Sequence, residues 1–164
     1  MRKIAIVGSP NVGKSVLFND LTGSYAMVSN YPGTTVEVSR GKARIGQEEF
    51  EIIDTPGMYS LMPLTEEESV ARKILLEEDP CIILHVIDTK NIERMLPLTL
   101  QILESGLRVI LVLNIIDEAR ALGINIDLVY LEKELNIPVV ATVSTTLEGI
   151  DILKGKIEEY VNRT

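Results

Sequence analysis

The sequence predicts one α/β domain over residues 1–164, with a mostly parallel, six-stranded sheet and helices on both faces. Short apolar runs alternate with amphipathic stretches along the chain, the pattern of strands joined by helical crossovers. Two of the runs, Cys81–Ile87 and Val109–Leu113, are rich in β-branched residues and apolar but for His85, as strands buried on both faces are. A third, Ile4-Ala5-Ile6-Val7, stops at Gly8 and leads into a stretch with helical spacing.

Each element follows from local chemistry. After the strand at 4–7, Val16, Leu17 and Leu21 fall on one face of a helix over 15–21, and Gly23 stops it. Residues 36–45 and 49–53 read as two strands joined by a turn at Gly46-Gln47. Thr65-Glu66-Glu67-Glu68 is a capping box, Thr65 capping and Glu68 reaching back, and its helix ends at Asp79-Pro80. Residues 92–104 are helical in pattern, with Pro97 predicting a kink or a late start. Residues 127–135 form a helix, 139–141 a last strand and 150–161 a final helix weakened at Gly155. His85 and Cys81 read as packed core residues, and Met27, Met58 and Met62 as local packing.

Composition narrows the class. With 46% apolar and 24% charged residues, the chain has the means to build a core and is not a disordered protein. Apolar runs stay far short of a membrane span, the start carries no secretory pattern, and a single cysteine excludes an internal disulfide and a cysteine-based zinc site. The net charge of −8 resides wholly in residues 61–164, residues 1–60 being balanced. An acidic surface speaks against nucleic-acid binding and, on its face, against any polyanion.

A phosphate-binding loop nevertheless stands out. Gly8-Ser9-Pro10-Asn11-Val12-Gly13-Lys14-Ser15 matches G-x-x-x-x-G-K-[ST] between the first strand and first helix. Glycines let successive N–H groups turn inward around phosphates, and the helix N-terminus adds its dipole, also at Val16. Lys14 is expected to reach the β- and γ-phosphates and Ser15 to ligate Mg²⁺. Asp54-Thr55-Pro56-Gly57 follows a strand, as the D-x-x-G element of GTP-binding proteins does, with Asp54 toward Mg²⁺ and the Gly57 N–H toward the γ-phosphate. Asn114-Ile115-Ile116-Asp117 fits an N-x-x-D guanine element, since a carboxylate accepts both N1–H and N2–H of guanine and adenine lacks that pair. Ser144 and Thr145, in a loop after the last strand, are expected to contact the guanine through backbone N–H groups.

Pro10-Asn11, the segment Asn30-Tyr31-Pro32-Gly33-Thr34-Thr35-Val36-Glu37, Leu17-Phe18-Asn19, Leu21-Thr22-Gly23 and the missing lysine at Ile115 together resemble the G domain of the ferrous iron transport protein B family over residues 3–161. The resemblance implies a Ras-like P-loop GTPase fold, GTP and GDP as ligands with Mg²⁺, and slow hydrolysis of GTP stimulated by K⁺. It implies that Thr35, with Thr34 adjacent, closes onto Mg²⁺ and the γ-phosphate. Asn11 would help hold K⁺ with the carbonyls of Ser29 and Tyr31, and residues 25–37 and 57–65 would be the switches. Lys14, Thr35, Gly57 and Asn11 are the expected catalytic set. The chain would be an excised cytoplasmic domain of a prokaryotic inner-membrane protein. Its implied partners are the adjoining helical and transmembrane domains, a small iron-transport accessory protein and further copies of itself, with no nucleic acid. Departures from the family pattern are Ser9, Val16, Tyr31 and Met58, the last standing where Ras-like proteins orient water with glutamine. A ribosome-associated assembly GTPase and a nucleotide-gated module without turnover are the rival readings.

Overall fold

A computed structural model describes residues 1–23 and 25–163. Its strands are β1 (Arg2–Val7), β2 (Ala26–Asn30), β3 (Glu37–Ile45), β4 (Glu48–Asp54), β5 (Ile82–Asp88), β6 (Val109–Asn114) and β7 (Val139–Ala141). Its helices are α1 (Lys14–Thr22), α2 (Glu66–Glu77), α3 (Ile92–Glu104), α4 (Ile116–Ala121), α5 (Leu128–Leu135) and α6 (Ile150–Val161). The seven strands form one sheet in the order β2-β3-β4-β1-β5-β6-β7. Strands β4, β1, β5, β6 and β7 pair in parallel, and β3 and β2 extend the sheet antiparallel.

The sheet thus has seven strands where the sequence predicts six. The extra one, β2, is exposed at all five residues and exists through its backbone ladder to β3, so no burial pattern marks it in the sequence. The six-residue α4 is likewise unpredicted, being too short to show a period. Pro97 does not delay α3, which runs from Ile92 behind a 3₁₀ turn at Thr89–Asn91. The carbonyl that loses its helical partner to this proline belongs to exposed Glu93, where water can replace it.

Alternation along each parallel strand makes two cores. Ile4, Ile6, Ile52, Leu84 and Val112 pack under α1 and α6, while Ala5, Val7, Ile53, Ile83 and Leu111 pack under α2 and α3. His85 is buried in β5 with Nδ1 2.7 Å from Thr99 Oγ1 of α3. Of the three methionines read as packing, only Met58 is buried; Met27 and Met62 are exposed.

The capping box forms in half. Thr65 Oγ1 accepts from Glu68 N at 3.1 Å, but the Glu68 carboxylate accepts from Thr65 Oγ1 and from Tyr59 N rather than from the Thr65 backbone. Glu68 therefore ties α2 to the loop that precedes it.

At the far end of α2, Glu78 accepts from Lys3 Nζ at 2.9 Å and from both Arg40 nitrogens at 2.8 and 2.9 Å. This clamp joins β1, β3 and the end of α2. The hydrogen bonds from Arg40, opposed by partial burial and reinforced by Lys3, hold the Glu78 carboxyl down at about 2. A carboxyl depressed in the folded state contributes stability that is full above the unfolded value and fades as pH falls toward the folded one. Glu78→Gln should therefore lower the melting temperature at neutral pH by about 5 °C. That deficit should close between about pH 4.5 and 2, as followed by circular dichroism.

Candidate functional site

The carboxyl ends of the parallel strands bring the candidate residues to one edge of the sheet, the place where open α/β folds bind ligands. Gly8 follows β1, Asp54 ends β4, Asn114 ends β6 and Thr142 follows β7. The first loop needs its glycines for two different reasons. A side chain at Gly8 would collide with the Val86 carbonyl, and one at Gly13, where φ is 91°, with the Asn114 amide. Asn11 takes φ 66° and is exposed at the crest of the loop.

No side chain caps the N-terminus of α1, so its first amides are free for an anion. Burial lowers the Lys14 pKa while the Asp54 carboxylate opposes the shift. Burial also raises the Asp54 pKa, with Lys14 and Ser15 opposing. Ser15 Oγ donates to Asp54 Oδ2 at 3.0 Å, whereas Asp54 Oδ1 is buried without a partner. A hydroxyl beside an unsatisfied carboxylate oxygen fits a hard divalent cation. No group of three or more metal-ligating side chains exists among the described residues, so such an ion would draw its remaining ligands from phosphates and water, as Mg²⁺ does.

The D-x-x-G residues divide by role. Thr55 is buried, and both its N and Oγ1 donate to the Ile6 carbonyl, Oγ1 at 2.7 Å, so this residue is anchored to β1 and its hydroxyl is unavailable to a ligand. Pro56 is half-buried, and Gly57 packs so closely on Pro10 that an added Cβ would lie 2.8 Å from the ring. Met58 N donates to the Gly8 carbonyl at 3.0 Å, which pins this loop to the phosphate loop.

Asn114 lies at the centre of the site with its side chain bonded to the surrounding loops. Its Nδ2 donates to the Val12 carbonyl at 2.9 Å, and its Oδ1 accepts from Thr142 Oγ1, Ser144 N and Ser144 Oγ at 2.9, 3.1 and 3.0 Å. Thr89 Oγ1 donates to the Asn114 carbonyl at 2.7 Å. In this arrangement Asn114 and Ser144 brace the loops against one another. Thr89 and Thr142 join this bracing network without any mark in the sequence, since a threonine after an apolar strand carries no distinguishing signal. Ile115 adopts φ 55°, a costly conformation for a β-branched residue, and so opens α4 with Asp117 exposed in its first turn. Thr145 is exposed in the neighbouring loop, and Val16 offers the site only its backbone.

The two threonines of the 25–37 segment separate cleanly. Thr34 N and Oγ1 donate to the Tyr31 carbonyl at 2.9 and 2.8 Å, and Thr34 Oγ1 accepts from Val36 N at 3.1 Å. Thr34 thus closes a turn through Pro32-Gly33, while Thr35 stays exposed. The Tyr31 carbonyl accepts both of these Thr34 bonds.

Residues 2–157 match the family model described as ferrous iron transport protein B. The Fe(2+) transport protein A/Fe(2+) transporter FeoB fusion protein of Porphyromonas gingivalis is 45% identical over 149 residues, 90% of this chain and 18% of that protein. The G domain of the T. maritima FeoB iron transporter superposes with TM-score 0.91 at 45% identity, covering 99% of each chain. The cytosolic domain of the same transporter in its GMPPNP form gives TM-score 0.95 at 45% identity, covering 100% of this chain and 65% of that one. The chain spans no more than about a quarter of the length of the curated relatives it matches.

Removing the brace tests this geometry. Asn114→Ala strands the Val12 carbonyl and the Thr142 and Ser144 donors, and should destabilise the fold by about 2–4 kcal/mol. Guanine-nucleotide affinity, measured with a fluorescent analogue, should fall roughly tenfold or more as the loops lose their common anchor.

Proposed function

The chain belongs to the ferrous iron transport protein B family, as its N-terminal G domain with the Ras-like fold, and from that premise we propose that it hydrolyses GTP to switch a ferrous iron transporter. The observation that carries the reading is the uncapped start of α1 behind Gly8–Ser15, faced by Lys14 and by a buried, unpartnered Asp54 oxygen. Relatives solved with GDP and with GMPPNP support a guanine nucleotide as the occupant.

The residues divide the work of a γ-phosphate transfer to water. Inward amides of the phosphate loop and Lys14 neutralise the phosphates, holding them for in-line attack. Ser15, Asp54 and Thr35 would hold Mg²⁺, and Asn11 a K⁺ ion, each cation supplying charge neutralisation at the phosphates. Asp117 selects guanine by accepting two N–H bonds, and the Thr145 N–H meets the base from the other loop. The Gly57 N–H reports the γ-phosphate once its loop releases Pro10. Met58 has no polar group to orient water and is fully buried, so the attacking water is positioned by backbone groups and turnover is slow. That burial also favours a second reading, a nucleotide-gated binding module with negligible turnover. An RNA-associated assembly role is disfavoured by the acidic surface and by Ile115.

In the parent protein this domain would stand on the cytoplasmic side of a prokaryotic membrane. Nucleotide state would pass to adjoining helical and membrane portions, and a small accessory protein and further copies of the chain are its other proposed partners. No helix among the described residues is long and apolar enough to cross a membrane, so transport itself belongs to other parts of the parent.

Phosphate release measured in KCl and in NaCl decides between enzyme and module: several-fold faster turnover in KCl is expected, and none in either salt would leave only the module. The paired threonines give a finer readout. Thr35→Ala should lower turnover by roughly 10–100-fold, whereas Thr34→Ala should lower it less than about threefold and mainly loosen the turn.

A further inference from the structure

A cavity of about 350 Å³ lies behind the phosphate loop and shares Ser9 and Pro10 with it. Its walls come from four elements: Ser9 and Pro10 of the loop, Met58 and Tyr59 after β4, His85 and Val86 of β5, and Arg94, Met95 and Leu98 of α3. The volume falls within the range of small-molecule sites, and Met58, Met95 and Leu98 give it an apolar lining.

Two polar side chains in that lining are unusual. Ser9 is only 7% exposed and its Oγ has no hydrogen-bond partner, a costly state for a buried hydroxyl. His85 is 1% exposed and holds Thr99 Oγ1 through Nδ1, and no bond of its Nε2 is found among the described residues. Burial keeps the imidazole neutral at physiological pH, its pKa drawn down to about 3. The lining therefore combines an apolar wall with a hydroxyl and a neutral ring, and Tyr59 and Arg94 are exposed at the rim.

We propose that this cavity is a binding site for a small uncharged aromatic molecule carrying a hydroxyl or amide, its ring against Met58, Met95 and Leu98 and its polar head on the Ser9 hydroxyl. The neutral imidazole of His85 disfavours an ionised head, which would be left unpaired at depth. The ligand would also act on the neighbouring loop. Met58 N is bonded to the Gly8 carbonyl and Gly57 lies on Pro10, so a molecule wedged beneath Met58 and Tyr59 favours the arrangement seen here. It would hold the Gly57 N–H away from a γ-phosphate. The effect on turnover rests on the proposed GTPase reading; the binding does not.

The test uses phenol and benzene as probes on the whole chain, with and without GDP and Mg²⁺, followed by amide chemical shifts. Phenol should shift the Ser9, Tyr59 and Leu98 amides and bind several-fold more tightly than benzene. Ser9→Ala should erase that preference, and Met95→Trp, which fills the cavity, should abolish both. Should Met95→Trp fail to fold, Leu98→Phe serves the same purpose. No shifts up to the solubility of phenol, equal affinity for the two probes, or binding unaffected by the filled cavity would overturn the proposal and leave the space to water alone. In the turnover assay saturating phenol should slow GTP hydrolysis several-fold without changing GDP affinity. Binding without that slowing would overturn the regulatory half, and a chain inactive in every salt would count against the GTPase reading while the binding result stands.

Discussion

The four hydrogen bonds of the Asn114 side chain are what make three separate loops into one site. The phosphate loop, the start of α4 and the loop after β7 belong to distant parts of the sequence, each preferring its own local conformation. One buried amide satisfies the Val12 carbonyl on one side and Thr142 and Ser144 on the other. Buried amides and hydroxyls are expensive to leave unpaired, so the arrangement is close to all-or-none. Gly13 is glycine because this amide occupies the space a side chain would need. Ile115 tolerates a left-handed backbone because the residues on either side of it are fixed, Asn114 by its bonds and Ile116 N by the Thr142 carbonyl at 3.2 Å.

The parallel half of the fold was legible in the sequence because burial on both faces writes itself as unbroken apolar runs. Strands β5 and β6 and helices α3 and α6 could be bounded to within a residue on that basis. Strand β2 was not legible, since its five residues are exposed and only backbone pairing with β3 defines it. Site residues followed the same division. Lys14, Ser15 and Asp54 occupy a motif whose spacing is dictated by chemistry. Thr89 and Thr142 act through tertiary contacts that no local pattern announces. Asn114 was found for its place in a motif, and its bracing bonds to Val12, Thr142 and Ser144 were not visible there. Thr35 was preferred to its neighbour Thr34 by its place in the motif, and the turn that Thr34 closes through Gly33 gives a physical contrast between the two.

The charge of the chain also reads differently at the scale of the site. A net −8 would repel a polyanion if charge were felt globally, but exposed charges are screened within about 10 Å of solution. The anion site is made locally, from amides, the start of α1 and one lysine partly withdrawn from water. Its opposing carboxylate, Asp54, is itself poised to be neutralised by a cation.

Strand β2 carries a consequence for motion. In most sheets, sliding a strand by one residue turns its apolar side chains to water, and that penalty locks the register. Every residue of β2 is already in water on both faces, so slippage or peeling forfeits only the ladder to β3. Tyr31, just beyond it, is half-buried against the core and is the first residue after β2 with packing to lose. The segment behaves as a zip with a single stud at one end. A rearrangement around Thr35 can unfasten it at the cost of the Tyr31 and Val36 contacts alone, leaving the core beneath α1 and α6 untouched.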